Sequence, residues 1–84
     1  SVIVCYNRNL MTKTFYITFS QKYRTQEHPI LPHIDPAGYI TIQAGTYQEA
    51  VKLTHMAIGP YYDNITSEGY FDESMYTLGH LYSL

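Results

Sequence analysis

The stretch Gly38-Tyr39-Ile40-Thr41-Ile42-Gln43-Ala44-Gly45-Thr46-Tyr47-Gln48-Glu49-Ala50-Val51-Lys52-Leu53-Thr54-His55-Met56-Ala57-Ile58-Gly59-Pro60 decides the fold. Its opening residues alternate, with Ile40, Ile42 and Ala44 on one face and Tyr39, Thr41 and Gln43 on the other, which is the period of a strand. Gly45 turns the chain. Thr46-Tyr47-Gln48-Glu49 then has capping-box spacing: Thr46 accepts from the Glu49 N–H, and the Glu49 carboxylate is expected to reach back to the Thr46 N–H. A carboxylate there also suits the positive end of a helix. Tyr47, Ala50, Val51, Thr54, Ala57 and Ile58 recur at helical spacing, with Leu53 and Met56 widening the stripe. Gly59 offers a positive-φ stop and Pro60 forbids continuation, so the helix is predicted over about residues 47–58.

Working outward, Thr14 to Ser20 sets Phe15, Ile17 and Phe19 against Tyr16 and Thr18, a strand with one buried face. Between the two strands lie seventeen residues, Gln21 to Ala37, with three prolines and two histidines. Proline at that density rules out a central strand or a helix interior. A connection this long in so small a chain reads as a binding loop or a mobile one. After the helix, Tyr61 to Thr66 alternates again as a third strand, and Ser67-Glu68-Gly69 turns. Asp72 caps a short helical turn through Leu78, ended by Gly79, and His80 to Leu84 finish in an extended or irregular tail.

The order strand, strand, helix, strand predicts an α+β fold: an antiparallel sheet of three strands, or four, with the helix packed on one face. A right-handed crossover from the second strand to the third gives the spatial order 2-1-3. Residues 1–11 read as an extension or an edge strand, and residues 12–84 as one small α+β domain. A chain of 84 residues hides only about 60% of its unfolded surface, enough for one thin core.

Apolar content of 45% against 14% charged residues excludes a disordered chain. No apolar run approaches the ~20 residues of a membrane-spanning helix, and no signal peptide is expected. The one cysteine, Cys5, excludes an internal disulfide, fits a reducing cytoplasm and reads as a small buried apolar residue. Asn64-Ile65-Thr66 matches a glycosylation sequon but reads as the end of a strand.

Net charge is −2, unevenly spread. Arg8, Lys13, Lys22 and Arg24 oppose only Glu27 near the start, while no Lys or Arg follows Lys52, where Asp63, Glu68, Asp72 and Glu73 gather. Four scattered cations are sparse for strong nucleic-acid binding, yet Arg8, Lys13, Lys22 and Arg24 with Tyr16 and Tyr23 stacking on bases form the alternative reading. His28, His33 and Asp35 lie close in the proline loop but match no usual zinc spacing; no metal site and no cofactor are expected. Nothing supplies a nucleophile with its base or a phosphate-cradling glycine loop, so no catalysis is expected. Each glycine is accounted for by a turn or a cap.

The tyrosines are the stronger lead. Ten are present with no tryptophan, so some fill the core and the rest are available at the surface. Tyrosine gives large contact area at low entropy cost, and carboxylates beside it favour a basic partner. Tyr61, Tyr62, Asp63, Tyr70, Asp72 and Glu73 are therefore the expected partner-binding residues.

Thr14-Phe15-Tyr16-Ile17-Thr18-Phe19, Gly38 to Ala44, Glu49-Ala50, Tyr61-Tyr62 and Tyr76-Thr77-Leu78-Gly79-His80-Leu81 together resemble a group of small bacteriophage proteins. Tyr61 stands where that group often has Trp. The resemblance covers about four-fifths of the chain and carries over no catalytic residues. It implies a phage or prophage origin and action in the cytoplasm of a bacterial host. It also implies binding to a host or phage protein, as in inhibitors of host factors of the anti-defence or anti-CRISPR type.

Overall fold

In the computed structural model, which describes residues 12–84, the order is β1 (Lys13–Thr18), β2 (Gly38–Ala44), α1 (Tyr47–Ile58), β3 (Asn64–Ser67) and β4 (Gly79–Ser83). Short 3-10 turns occupy Gln21–Arg24, Glu68–Tyr70 and Glu73–Met75. The expectations for residues 1–11, including Cys5 and Arg8, lie outside the described residues. The fold is α+β, one helix with a four-stranded sheet in the order β3-β1-β2-β4. The first three strands are antiparallel neighbours in the expected 2-1-3 arrangement.

The sheet is nevertheless mixed. The tail expected to be extended or irregular is a strand, and β4 lies parallel to β2. The reason is geometric. β3 runs antiparallel to β1 and ends at Ser67, opposite Phe15, whereas β4 must start beside Gly38 at the other end of β2. The chain between them therefore crosses the sheet on the face that α1 leaves open. Phe71 stacks on Tyr16 with centroids 4.3 Å apart, and Tyr76 meets Tyr39 edge-on at 5.9 Å. This crossing buries Tyr39 and Thr41, on the face of β2 opposite Ile40 and Ile42.

The helix packs on the other face. Phe15, Ile17, Ile40, Ile42, Ala44 and Ile65 form a core with Ala50 and Ile58 of α1. The buried stripe of the helix is Ala50, Thr54 and Ile58, narrower than its pattern suggested. Val51 and Leu53 flank it, while Tyr47, Met56 and Ala57 are exposed. Thr54 is fully buried, its hydroxyl donating to the Ala50 carbonyl at 2.7 Å. Burying a hydroxyl is tolerable only with such a partner.

Both helix ends match their sequence signals with one shift. The Glu49 N–H donates to Thr46 Oγ1 at 3.1 Å, but the Glu49 carboxylate accepts from the Gly45 N–H, one residue beyond the expected Thr46. Gly59 takes φ +60° and ψ −140°, a region open to glycine and strained for other residues. The third strand is shorter than expected, because Tyr61 and Tyr62 continue the turn through bonds to Ile58 and Pro60. The helical turn expected from Asp72 to Leu78 is only Glu73–Met75, after which the Leu78 N–H reaches the Ala37 carbonyl at 3.0 Å.

Candidate functional site: an acidic, aromatic surface

The six expected partner-binding residues fall into two groups at different places on the sheet. Tyr61, Tyr62 and Asp63 sit at the end of β1 marked by Thr18, whose carbonyl accepts from the Asp63 N–H at 2.8 Å. Tyr62 is half-buried against the core, its hydroxyl 2.9 Å from His55 Nε2. It pins the helix to the turn and has little surface to offer. Tyr61 is 41% exposed, and its carbonyl accepts from His28 Nε2 at 2.7 Å. Asp63 is exposed.

Tyr70, Asp72 and Glu73 belong to the crossing segment. Tyr70 is 88% exposed and lines a cleft of about 510 Å³ between Lys13–Phe15, Gly45–Tyr47 and residues 67–70. Two residues of the segment face inward: Phe71 and Tyr76 stack on each other at 5.1 Å and close over Tyr16 and Tyr39. Aromatic clusters of this offset and edge-on geometry add directional attraction to area burial. The residues between them, Asp72, Glu73, Ser74 and Met75, are exposed. Asp72 Oδ1 accepts from the Ser74 hydroxyl at 2.5 Å and the Ser74 N–H at 3.0 Å, which hold its carboxyl below the usual range.

Glu73 lies over the aromatic cluster. Burial pushes the Tyr16 and Tyr39 hydroxyls up from the usual value of 10.0, and the nearby Glu73 carboxylate adds to this by its charge. Glu68 adds a smaller push at Tyr16. These tyrosines are thus neutral donors beneath a negative rim.

The proline loop is packed. Tyr23, His28, Ile34 and Pro36 are buried. His28 Nδ1 accepts from the Ile30 and Leu31 N–H groups at 3.1 and 3.0 Å, so its proton sits on Nε2 and is donated to Tyr61. Both ring nitrogens are thereby occupied. Asp35 Oδ1 accepts from the Ala37 N–H at 2.8 Å, and His33 stands apart at φ +57°. Among the described residues no group of three His, Cys, Asp or Glu is placed to hold a metal ion.

Among the described residues, Lys13, Lys22 and Arg24 do not form the aromatic-interleaved patch of the nucleic-acid reading, whose fourth cation, Arg8, lies outside them. Tyr23 is 6% exposed, packed against Phe19 and His28, and Tyr16 lies under Phe71, so neither presents a face to a base. Lys13 lies at one end of β1, and Lys22 and Arg24 lie beyond its other end.

One constellation was invisible in the sequence. Thr41 Oγ1 lies 3.0 Å from His80 Nε2 and 2.9 Å from Ser83 Oγ. Residues 39 positions apart meet only because β4 pairs with β2. Nucleophile–base pairs in enzymes need the base oriented by a further group. Here the bonds run between the strands, and their evident role is to tie β4 to β2.

The chain is thus a small α+β protein with a helix on one face of a mixed sheet and an acidic aromatic crossing on the other. Comparison with family models, curated proteins and solved structures finds no match. Among the described residues no helix is long and apolar enough to cross a membrane.

Proposed function

We propose that this chain is a small protein-binding module that engages a basic region of a host or phage protein through its acidic, tyrosine-rich surface. The phage-type resemblance adds the setting, modulation or inhibition of a host factor without catalysis. The observation that carries the reading is the crossing segment. Phe71 and Tyr76 fix it to the sheet, while Tyr70, at 88% exposure, and Met75, at 73%, stand out among Glu68, Asp72 and Glu73. Exposed large side chains on a fixed backbone lose little entropy on binding, which favours a recognition surface. The carboxylates, with no cation after Lys52 to offset them, raise the encounter rate with a basic partner.

The test is affinity capture from bacterial lysate with the native chain and with Tyr70→Ala/Asp72→Ala, followed by measured affinity for the captured protein. Losing Tyr70 should weaken binding by about 2 kcal/mol if it is a central contact. Equal affinity of the double variant would remove this surface from the reading.

A further inference from the structure

Among the described residues the sheet has two edges, β3 and β4, and they differ. On β3 the outward groups follow from one hydrogen bond. The Asp63 N–H donates to the Thr18 carbonyl, so that carbonyl points toward β3. Alternation along β1 points the Tyr16 backbone the same way. Asn64 and Thr66, registered opposite Thr18 and Tyr16, therefore exchange bonds with β1. The N–H and C=O groups of Ile65 and Ser67 consequently point away from the sheet.

Natural edges are usually blunted by shortness, lysine, proline or a bulge. β3, Asn64-Ile65-Thr66-Ser67, is short at four residues, but it has neither lysine nor proline, and its register with β1 is unbroken. β4 does carry a register shift opposite Tyr39/Ile40, and its Tyr82 hydroxyl is engaged by the Pro32 carbonyl at 3.1 Å. The ends of β3 are marked by charge and aromatics: Tyr61 and exposed Asp63 precede it, and exposed Glu68 and Tyr70 follow it. The strand edge thus runs between Asp63 and Tyr70, one member of each group of expected partner-binding residues.

We infer that β3 receives an extended, basic segment of the partner protein as an added strand. The inference rests on the protein-binding reading and specifies its mode. Backbone bonds to Ile65 and Ser67 supply the register, as in other strand additions. Lysine or arginine on the incoming segment meets Asp63 at one end and Glu68 at the other, and Tyr61 and Tyr70 lie beside the ends to pack on the aliphatic stems.

The probe is a peptide of about eight residues alternating lysine and valine, titrated at low salt by fluorescence anisotropy, with a second peptide of the same sequence whose backbone nitrogens are all methylated. The informative variant is Ser67→Pro. Ser67 already has φ −68° and ψ 150°, and its side chain makes no capping bond, so proline fits and removes only the outward N–H. Thr66 before it is in a strand, as a residue preceding proline should be. The lysine–valine peptide should bind the native chain, with affinity about tenfold weaker for Ser67→Pro and for Asp63→Lys/Glu68→Lys. The N-methylated peptide should bind at least about tenfold more weakly, since it has no backbone N–H to pair. Circular dichroism and thermal unfolding confirm that each variant is folded.

Equal binding of both peptides, unchanged affinity of Ser67→Pro, or no binding at about 1 mM peptide would each overturn strand addition. A native dimer in light scattering that Ser67→Pro dissolves would also overturn it, assigning the edge to a second copy. If Tyr70→Ala/Asp72→Ala weakens the captured partner while Ser67→Pro does not, the module stands and only strand addition fails.

Discussion

Replacing His28 by phenylalanine tests what holds the proline loop. The ring is 8% exposed and lies within 5.0–6.1 Å of the Tyr23, Phe19 and Tyr61 rings, centroid to centroid. Phenylalanine keeps that packing and the approximate volume. It removes the acceptor for the Ile30 and Leu31 N–H groups and the donor to the Tyr61 carbonyl. An unsatisfied buried group costs roughly 1–3 kcal/mol. Water reaches part of a surface loop, so the expected total is about 3 kcal/mol, near the lower end of the sum. A chain of 84 residues has roughly 4–13 kcal/mol in all, so the loss is a large share. In urea, with a slope of about 1 kcal/mol per molar, the midpoint should fall by about 3 M. His33→Asn in the same loop is the control. His33 is exposed with φ +57°, a conformation asparagine tolerates, so its stability should stay within about 0.5 kcal/mol of native. A His28→Phe loss below about 1 kcal/mol would show that water satisfies the freed groups and would refute the imidazole as the loop's support.

Two further outcomes follow from packing and charge. A Cβ on Gly38 would lie 2.7 Å from Leu81 Cδ2 and 3.1 Å from the Gly79 carbonyl oxygen, so Gly38→Ala should cost about 1–3 kcal/mol in urea unfolding. Adding Leu81→Ala should show a favourable coupling in a double-mutant cycle, and strict additivity would deny the clash. The raised Tyr16, Tyr39 and Tyr82 hydroxyls make stability fall at alkaline pH. Unfolded tyrosines ionise near pH 10 while the folded ones still hold their protons, so their contribution is complete below about pH 10 and is lost as pH rises through the higher folded values. Urea unfolding at a series of pH values, with tyrosinate absorbance in parallel, reads this, and Glu73→Gln should reduce the alkaline loss.

Much of the fold was legible because its signals are local. Alternation in Phe15-Tyr16-Ile17 and Ile40-Thr41-Ile42, the Thr46 cap and the Gly59-Pro60 stop each depend on neighbours a few residues away. Those residues gave the helix bounds and, with the handedness of crossovers, the 2-1-3 order. The candidate site was legible only as composition: a run after Lys52 with carboxylates and tyrosines but no cation. That Tyr62 is a packing residue bonded to His55 depends on how the turn folds back onto the helix.

The sequence by itself determined one face of the sheet, because alternating apolar residues must be covered and a capped amphipathic helix follows to cover them. Only the tertiary structure decided the other face. Tyr16, Tyr39 and Thr41 have the polarity of a solvent-facing row, and tyrosine is equally at home at a surface or under an aromatic ring. What settles their burial is the direction of β4. To run parallel to β2, the chain must carry Phe71 and Tyr76 across them, and strand direction comes from non-local pairing that no short window of residues encodes. The same crossing leaves Tyr70, Asp72 and Glu73 exposed.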